Sequence, residues 1–137
     1  MKPKILGVLQ NIYSHYGAGR IKLKDIYLLE GKTCNLSNAT YSRIKPVFHQ
    51  SEIYDAWLTE CSREYASNHK QKFDTDHNHI QNVLKIKEWD FIICFGKQSE
   101  FALQPYQKDF KILNVPHPVS FKWRKTILDD IHNFIKK

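Results

Sequence analysis

The stretch Asp90-Phe91-Ile92-Ile93-Cys94-Phe95-Gly96-Lys97, with its continuation Ile112-Leu113-Asn114-Val115-Pro116-His117-Pro118-Val119-Ser120, decides how the chain is read. A continuous apolar run of five or six residues suits a strand buried on both faces, as in parallel sheets. Gly96-Lys97 breaks the first run, and Gln98 to Leu103 follows with helical character. The second run ends in a loop in which two prolines flank one histidine. The order is strand, glycine turn, helix, strand, rigid loop. In an open parallel sheet, ligands bind beyond the carboxyl ends of the strands. Gly96 and His117 both fall at that edge, so the loop is the candidate site.

Working outward, Lys4 to Gln10 is another short apolar run and a further buried strand. It leads into a polar and aromatic loop, Asn11 to Arg20, with two glycines. Lys22 to Glu30 has a mixed period, and Gly31 to Asn38 is turn-like. Asn38 is placed to cap a helix through Thr40, Tyr41, Ile44 and Lys45, which Pro46 is expected to shorten. Over Ser51 to Ala66, Ile53, Trp57, Cys61 and Tyr65 recur every four residues, so the period favours a helix. Ile53 to Thr59 also reads as an aromatic-rich strand. A helix is expected from Thr75 or Asp76, burying Ile80, Val83, Leu84 and Ile86. The last helix carries the clearest stripe, Trp123, Ile127, Leu128, Ile131, Phe134 and Ile135, with Ser120 as its expected N-cap. Alternation of this kind predicts an α/β fold with a mainly parallel sheet. No repeat or linker divides the chain, so residues 1–137 are read as one domain.

The chain has 137 residues, 42% hydrophobic and 13% aromatic, enough for one sizeable core. No apolar run approaches the roughly 20 residues that span a bilayer, and Met1-Lys2-Pro3-Lys4 reads as a cytoplasmic start. Three widely spaced cysteines suit reduced thiols better than a disulfide framework. The net charge of +7 is uneven. Residues 1–45 hold 8 basic against 2 acidic side chains, residues 46–90 hold 5 against 8, and residues 91–137 hold 8 against 4. The two basic ends make a polyanion the leading partner, nucleic acid first, although such a balance also simply serves solubility.

Several chemistries find little support. His77 and His79, near Asp74 and Asp76, stand two apart and on a helix do not share a face, so no metal site is expected. Cys34 and Cys61 lack the local signature of a cysteine nucleophile. Gly96-Lys97 lacks the glycine spacing of a nucleotide-binding loop. His117 is the exception. The prolines on either side restrict the backbone, so the imidazole is held at low entropic cost and can stabilise charge on a leaving group. A structural histidine in a turn would look the same from residue types alone.

The order of these motifs resembles the uracil-DNA glycosylase superfamily. Ile92 to Lys97, followed by Ala102-Leu103, resembles its strand–glycine–helix segment, and Pro116-His117-Pro118-Val119-Ser120 its His-Pro-Ser loop. Val8 to Tyr13 resembles the first motif of that family, and Trp57-Leu58-Thr59-Glu60-Cys61 falls where its second strand ends. The resemblance makes residues 53–59 a strand. It implies a three-layer α/β/α sandwich with a four-stranded parallel sheet, no cofactor, and hydrolysis of the N-glycosidic bond of a base flipped from single- or double-stranded DNA by a monomer. On it, His117 would stabilise the departing base, and Asn11 would position water. Gln10, Tyr13 and Thr59 would form the base pocket, while Gly96, Lys97, Ser120, Lys122 and Arg124 would meet phosphates. Three departures stand out. Leu9 replaces a glycine, no proline follows Asn11, and Glu60 stands where an asparagine reads the base. Glu60 then implies a different base, a general base, or lost activity. Two other readings stay open: a DNA-binding module without chemistry, and a glycosidase of free nucleosides or nucleotides.

Overall fold

In the computed structural model, described over residues 2–10, 12–13, 25–29, 38–49, 51–62, 65–66 and 74–136, four strands form one parallel sheet. They are β1 (Lys4–Leu9), β3 (Asp55–Glu60), β5 (Phe91–Phe95) and β6 (Ile112–Val115), in the spatial order β3-β1-β5-β6. Two short strands, β2 (Ile12–Tyr13) and β4 (Tyr65–Ala66), pair with each other in parallel. The helices are α1 (Asn38–Phe48), α2 (His77–Ile86), α3 (Lys97–Leu103) and α4 (Thr126–Ile135).

Alternation along the strands divides the core in two. Ile5, Leu9, Leu58, Ile93 and Phe95 face α1 and α4, meeting Ile44, Val47, Phe48, Ile127 and Ile131. Leu6, Val8, Ile92 and Cys94 face α2 and α3, meeting Ile80, Val83, Ala102 and Leu103. Helices therefore cover both faces, and the chain is a three-layer α/β/α sandwich, as the resemblance implied. Each fully buried aliphatic or aromatic side chain contributes about 1.5–3 kcal/mol. Gly7 makes one of these contacts possible. A Cβ there would stand 2.6 Å from the ring of Phe48, which lies across β1 and meets Phe95 edge-on at 5.8 Å.

Four expectations need correcting. The period over residues 51–66 points to a helix, yet Asp55–Glu60 is a strand paired with β1 along its whole length, as the resemblance implied. A spacing of four is also a multiple of two, so Trp57 and Cys61 share a strand face as readily as a helix face. Pro46 does not shorten α1. It lies inside the last turn, and the chain continues helically because Val47 and Phe48 are buried beyond it. Ser120 does not cap the last helix, which begins at Thr126. It caps a local turn instead, accepting from Lys122 N at 3.1 Å. Ile86, expected inside, is 44% exposed. By contrast, Asp76 caps α2 as read, accepting from His79 N.

The chain runs from β1 outward to β3 and then returns past β1 to β5. That reversal puts the topological switch point between β1 and β5, and in such sheets ligands usually sit beyond the carboxyl ends of the strands at that point. The outer edge of β3 is covered by residues 25–29, where Tyr27 and Leu58 exchange backbone bonds of 3.0 and 2.8 Å.

Candidate active site

All four strands of the main sheet are parallel, so their carboxyl ends share one edge. Gln10, Glu60, Gly96 and His117 lie at or just beyond those ends. Adjacent parallel strands are about 4.8 Å apart, which puts the ends of β3 and β6 roughly 14 Å from each other. The edge thus holds two centres, one around His117 and one around Glu60.

At the first centre, β5 and β6 are neighbours, and Gly96 N donates to Val115 O at 2.8 Å. Gly96 adopts φ +91°, a conformation that side chains resist, and a Cβ there would stand 3.3 Å from His117 Cβ. The glycine lets the histidine backbone close onto the start of α3. The loop then turns, with Ser120 N donating to His117 O at 2.9 Å. Val119 N donates to His117 Nδ1 at 3.2 Å. A nitrogen that accepts carries no proton, so the ring proton sits on Nε2. Burial lowers the His117 pKa to about 4, keeping the imidazole neutral at physiological pH. The result is a neutral ring with a defined N–H donor. Arg43, from α1, donates to Pro118 O.

At the second centre, Glu60 is 3% exposed and accepts a hydrogen bond from the Tyr27 hydroxyl on Oε1. Burial pushes its carboxyl up to about 7, although the Tyr27 bond pulls the other way. Burial and the neighbouring Glu60 push the Tyr27 phenol well up. Thr59, on the opposite face, is fully buried and directed inward. Its Oγ1 donates to Asp25 O at 2.7 Å, so its contact with His79 Nε2 at 2.8 Å has the ring as donor. His79 Nδ1 lies 3.6 Å from Asp25 Oδ1. The set joins residues 25–29, β3 and α2.

Gln10 is half-buried, and its carbonyl accepts from Ser62 N at 3.1 Å. The backbone of Tyr13 pairs with Ala66, and Asn11 and Cys34 lie outside the described residues. Lys97 is exposed and pairs with Glu100 at 3.8 Å. Lys122 and Arg124 are exposed, Arg124 donating to Phe121 O and Trp123 O. Ser99 closes α3 against β1, its hydroxyl donating to Val8 O at 2.9 Å. Cys61 is buried and its thiol is pushed up to about 11, while Cys94 is buried and also raised. Neither is suited to be a nucleophile. Among the described residues, no three His, Cys, Asp or Glu side chains are arranged to hold a metal, and no helix is long and apolar enough to cross a membrane.

Sequence reasoning missed Tyr27 and Arg43, and weighed His79 only as a metal ligand, not as the partner of Thr59. Tyr27 sits in a stretch of mixed period, and neither the His79 nor the Arg43 contact has a local signature. A cleft of about 480 Å³ opens at the opposite, amino-terminal edge, between Lys2, Lys4, Lys111 and Glu88, Asp90, Asp109. Its charges balance, and Asp90 is engaged with Lys4 N at 2.8 Å. Comparison of the chain with protein-family models, with curated proteins and with solved structures finds no match to any of them.

Proposed function

We propose that the chain is a monofunctional glycosylase that hydrolyses the N-glycosidic bond of a damaged or mismatched base flipped from DNA. The observation that carries this reading is the neutral His117 ring, with Nδ1 occupied by Val119 N–H and Nε2 left as donor. When the bond to C1′ breaks, its electron pair moves onto the base and negative charge collects on a base oxygen. A preorganised N–H aimed at that oxygen stabilises the charge without first having to be protonated. Water, positioned by Asn11 in the reading from resemblance, then adds at C1′, and the proton it releases neutralises the base anion. Glu60, with a carboxyl pushed up to about 7, is partly protonated at neutral pH. With Tyr27 donating to Oε1, the acid proton belongs on Oε2, where it suits a base carbonyl. An ionised carboxylate could only accept there, whereas the protonated form can donate.

The test is a panel of oligonucleotides carrying uracil, mismatched thymine, hypoxanthine, xanthine and oxidised pyrimidines, scored for alkali-labile sites. His117→Ala should slow release from the preferred substrate by about 10²–10³, the usual cost of removing one such donor. Failure to release any base from the whole panel would sink the proposal.

A second reading, DNA binding without cleavage, is favoured by Phe121. It is 84% exposed and adjoins Lys122, with Arg124 nearby in the chain. Exposed aromatics amid basic residues stack on bases while the cations meet phosphates. This reading expects salt-sensitive binding that is weakened by Phe121→Ala and unmoved by His117→Ala.

A further inference from the structure

We propose that Arg43 is the positioning residue for His117, acting on the ring through the Pro118–Val119 peptide unit. The inference rests on the leaving-group role given to His117 above. Pro118 and Val119 occupy the two central positions of the turn closed by Ser120 N and His117 O. The peptide between the central residues of such a turn is its least determined part, since turn types I and II differ by its rotation. Proline at the first central position is compatible with both. Here that one peptide is held at both ends. Its carbonyl accepts from the Arg43 guanidinium, and its N–H donates to His117 Nδ1.

A peptide unit is planar, so its C=O and N–H turn together. Holding Pro118 O therefore aims Val119 N–H. Rotation away from Arg43 would swing that N–H off Nδ1 and free the ring to place its proton on either nitrogen. The branched side chain of Val119 resists the complete flip, which needs a positive φ there, and no non-glycine residue among those described has one. Arg43 opposes the smaller rotations that still break the bond to the ring. It does so from a different layer, because α1 packs against α4 and the sheet while the loop leaves β6. Gly96 completes the arrangement by holding the other side of the His117 backbone.

The test reads the ring directly and needs no substrate. Long-range proton–nitrogen NMR of the full, isotope-labelled chain assigns the tautomer and titration of His117. The wild type should show one tautomer, with the proton on Nε2. Arg43→Ala should give a mixture of tautomers, with titration about one pH unit higher. Arg43→Lys, which keeps the charge and a donor, should restore the Nε2–H form. A single, unchanged tautomer in Arg43→Ala would overturn the proposal. So would a change in titration without a change in tautomer, because Arg43 would then act as a charge alone. Base release is measured separately. An inactive wild type whose tautomer still depends on Arg43 removes the glycosylase reading and upholds the positioning role.

Discussion

Each outer strand of the sheet leads to a titratable group whose neutral form burial favours, but the two groups are held by different means. Beyond β6, His117 is held by its own loop, by the close approach of Gly96 just after the neighbouring strand and by one reach from α1. At β3, Glu60 is held by Tyr27, from a segment 33 residues earlier that covers the strand edge. The first arrangement leaves the ring with a proton to offer. The second keeps a carboxyl in a place where ionisation is costly. Local chain geometry can aim a donor, whereas distant packing sets how readily a group ionises.

The largest expected effect comes from setting one centre against the other by pH. Glu60 has a pKa raised from 4.5 to about 7, so its contribution to stability is present below pH 4.5 and lost as pH rises through 7. His117 has a pKa lowered from 6.5 to about 4, so its contribution is present above pH 6.5 and lost as pH falls through 4. At about 1.36 kcal/mol per pKa unit, each is worth about 3 kcal/mol. Where the two ranges overlap, from pH 4.5 to 6.5, they oppose each other, and the stability of the wild type should change little from this pair. Glu60→Gln should expose the His117 part as a loss of about 3 kcal/mol on acidification from pH 6.5 to 4. His117→Gln should expose the Glu60 part as a similar loss on raising pH from 4.5 to 7. Urea unfolding across pH decides it, and a flat profile in either variant removes the corresponding shift.

Gly96→Ala probes the His117 centre alone. The φ of +91° and the approach to His117 Cβ should together cost about 2 kcal/mol, within the 1–3 usual for such backbone conformations. Denaturant unfolding at pH 8 measures this beyond both titrations. NMR signals of His117 should move while the Glu60 titration stays in place. Equal disturbance of both would mean that the two centres are one coupled unit.

The same contrast explains what could be read from the sequence. The strands at Lys4–Leu9 and Phe91–Phe95 announce themselves as short apolar runs, because burial on both faces leaves no polar position after Lys4; Ile112–Val115 reads the same way although it is an edge strand with Asn114 exposed. Gly96 and His117 follow two such strands and were placed at one edge by the parallel-sheet rule alone. The strand at Asp55–Glu60 was obscured by a spacing that helix and strand share. Ser120 misled because a serine that caps a turn has the same local pattern as one that caps a helix. The contacts of Glu60 and Thr59 come from Tyr27, Asp25 and His79, at separations of 33, 34 and 20 residues. No local period encodes pairings of that range, and they depend on which segment covers the edge of β3.

Tyr27→Phe is the smallest change and isolates that covering segment. It keeps the ring in the core and removes only the hydroxyl that donates to Glu60. Below pH 5 the carboxyl is neutral, and losing a neutral hydrogen bond should cost about 1 kcal/mol. Above pH 8 the carboxylate is charged, and the same deletion should cost about 2 kcal/mol, because bonds to charged groups are stronger. The Tyr27 bond lowers the Glu60 pKa, so the midpoint of the pH-dependent loss should also move upward in the variant. His117 provides the internal control, since its tautomer depends on the loop after β6 and not on the edge of β3. No loss at either pH would mean that Tyr27 stabilises the strand edge by packing alone. The pKa of Glu60 would then be set by its depth at the end of β3, with no lowering from its partner.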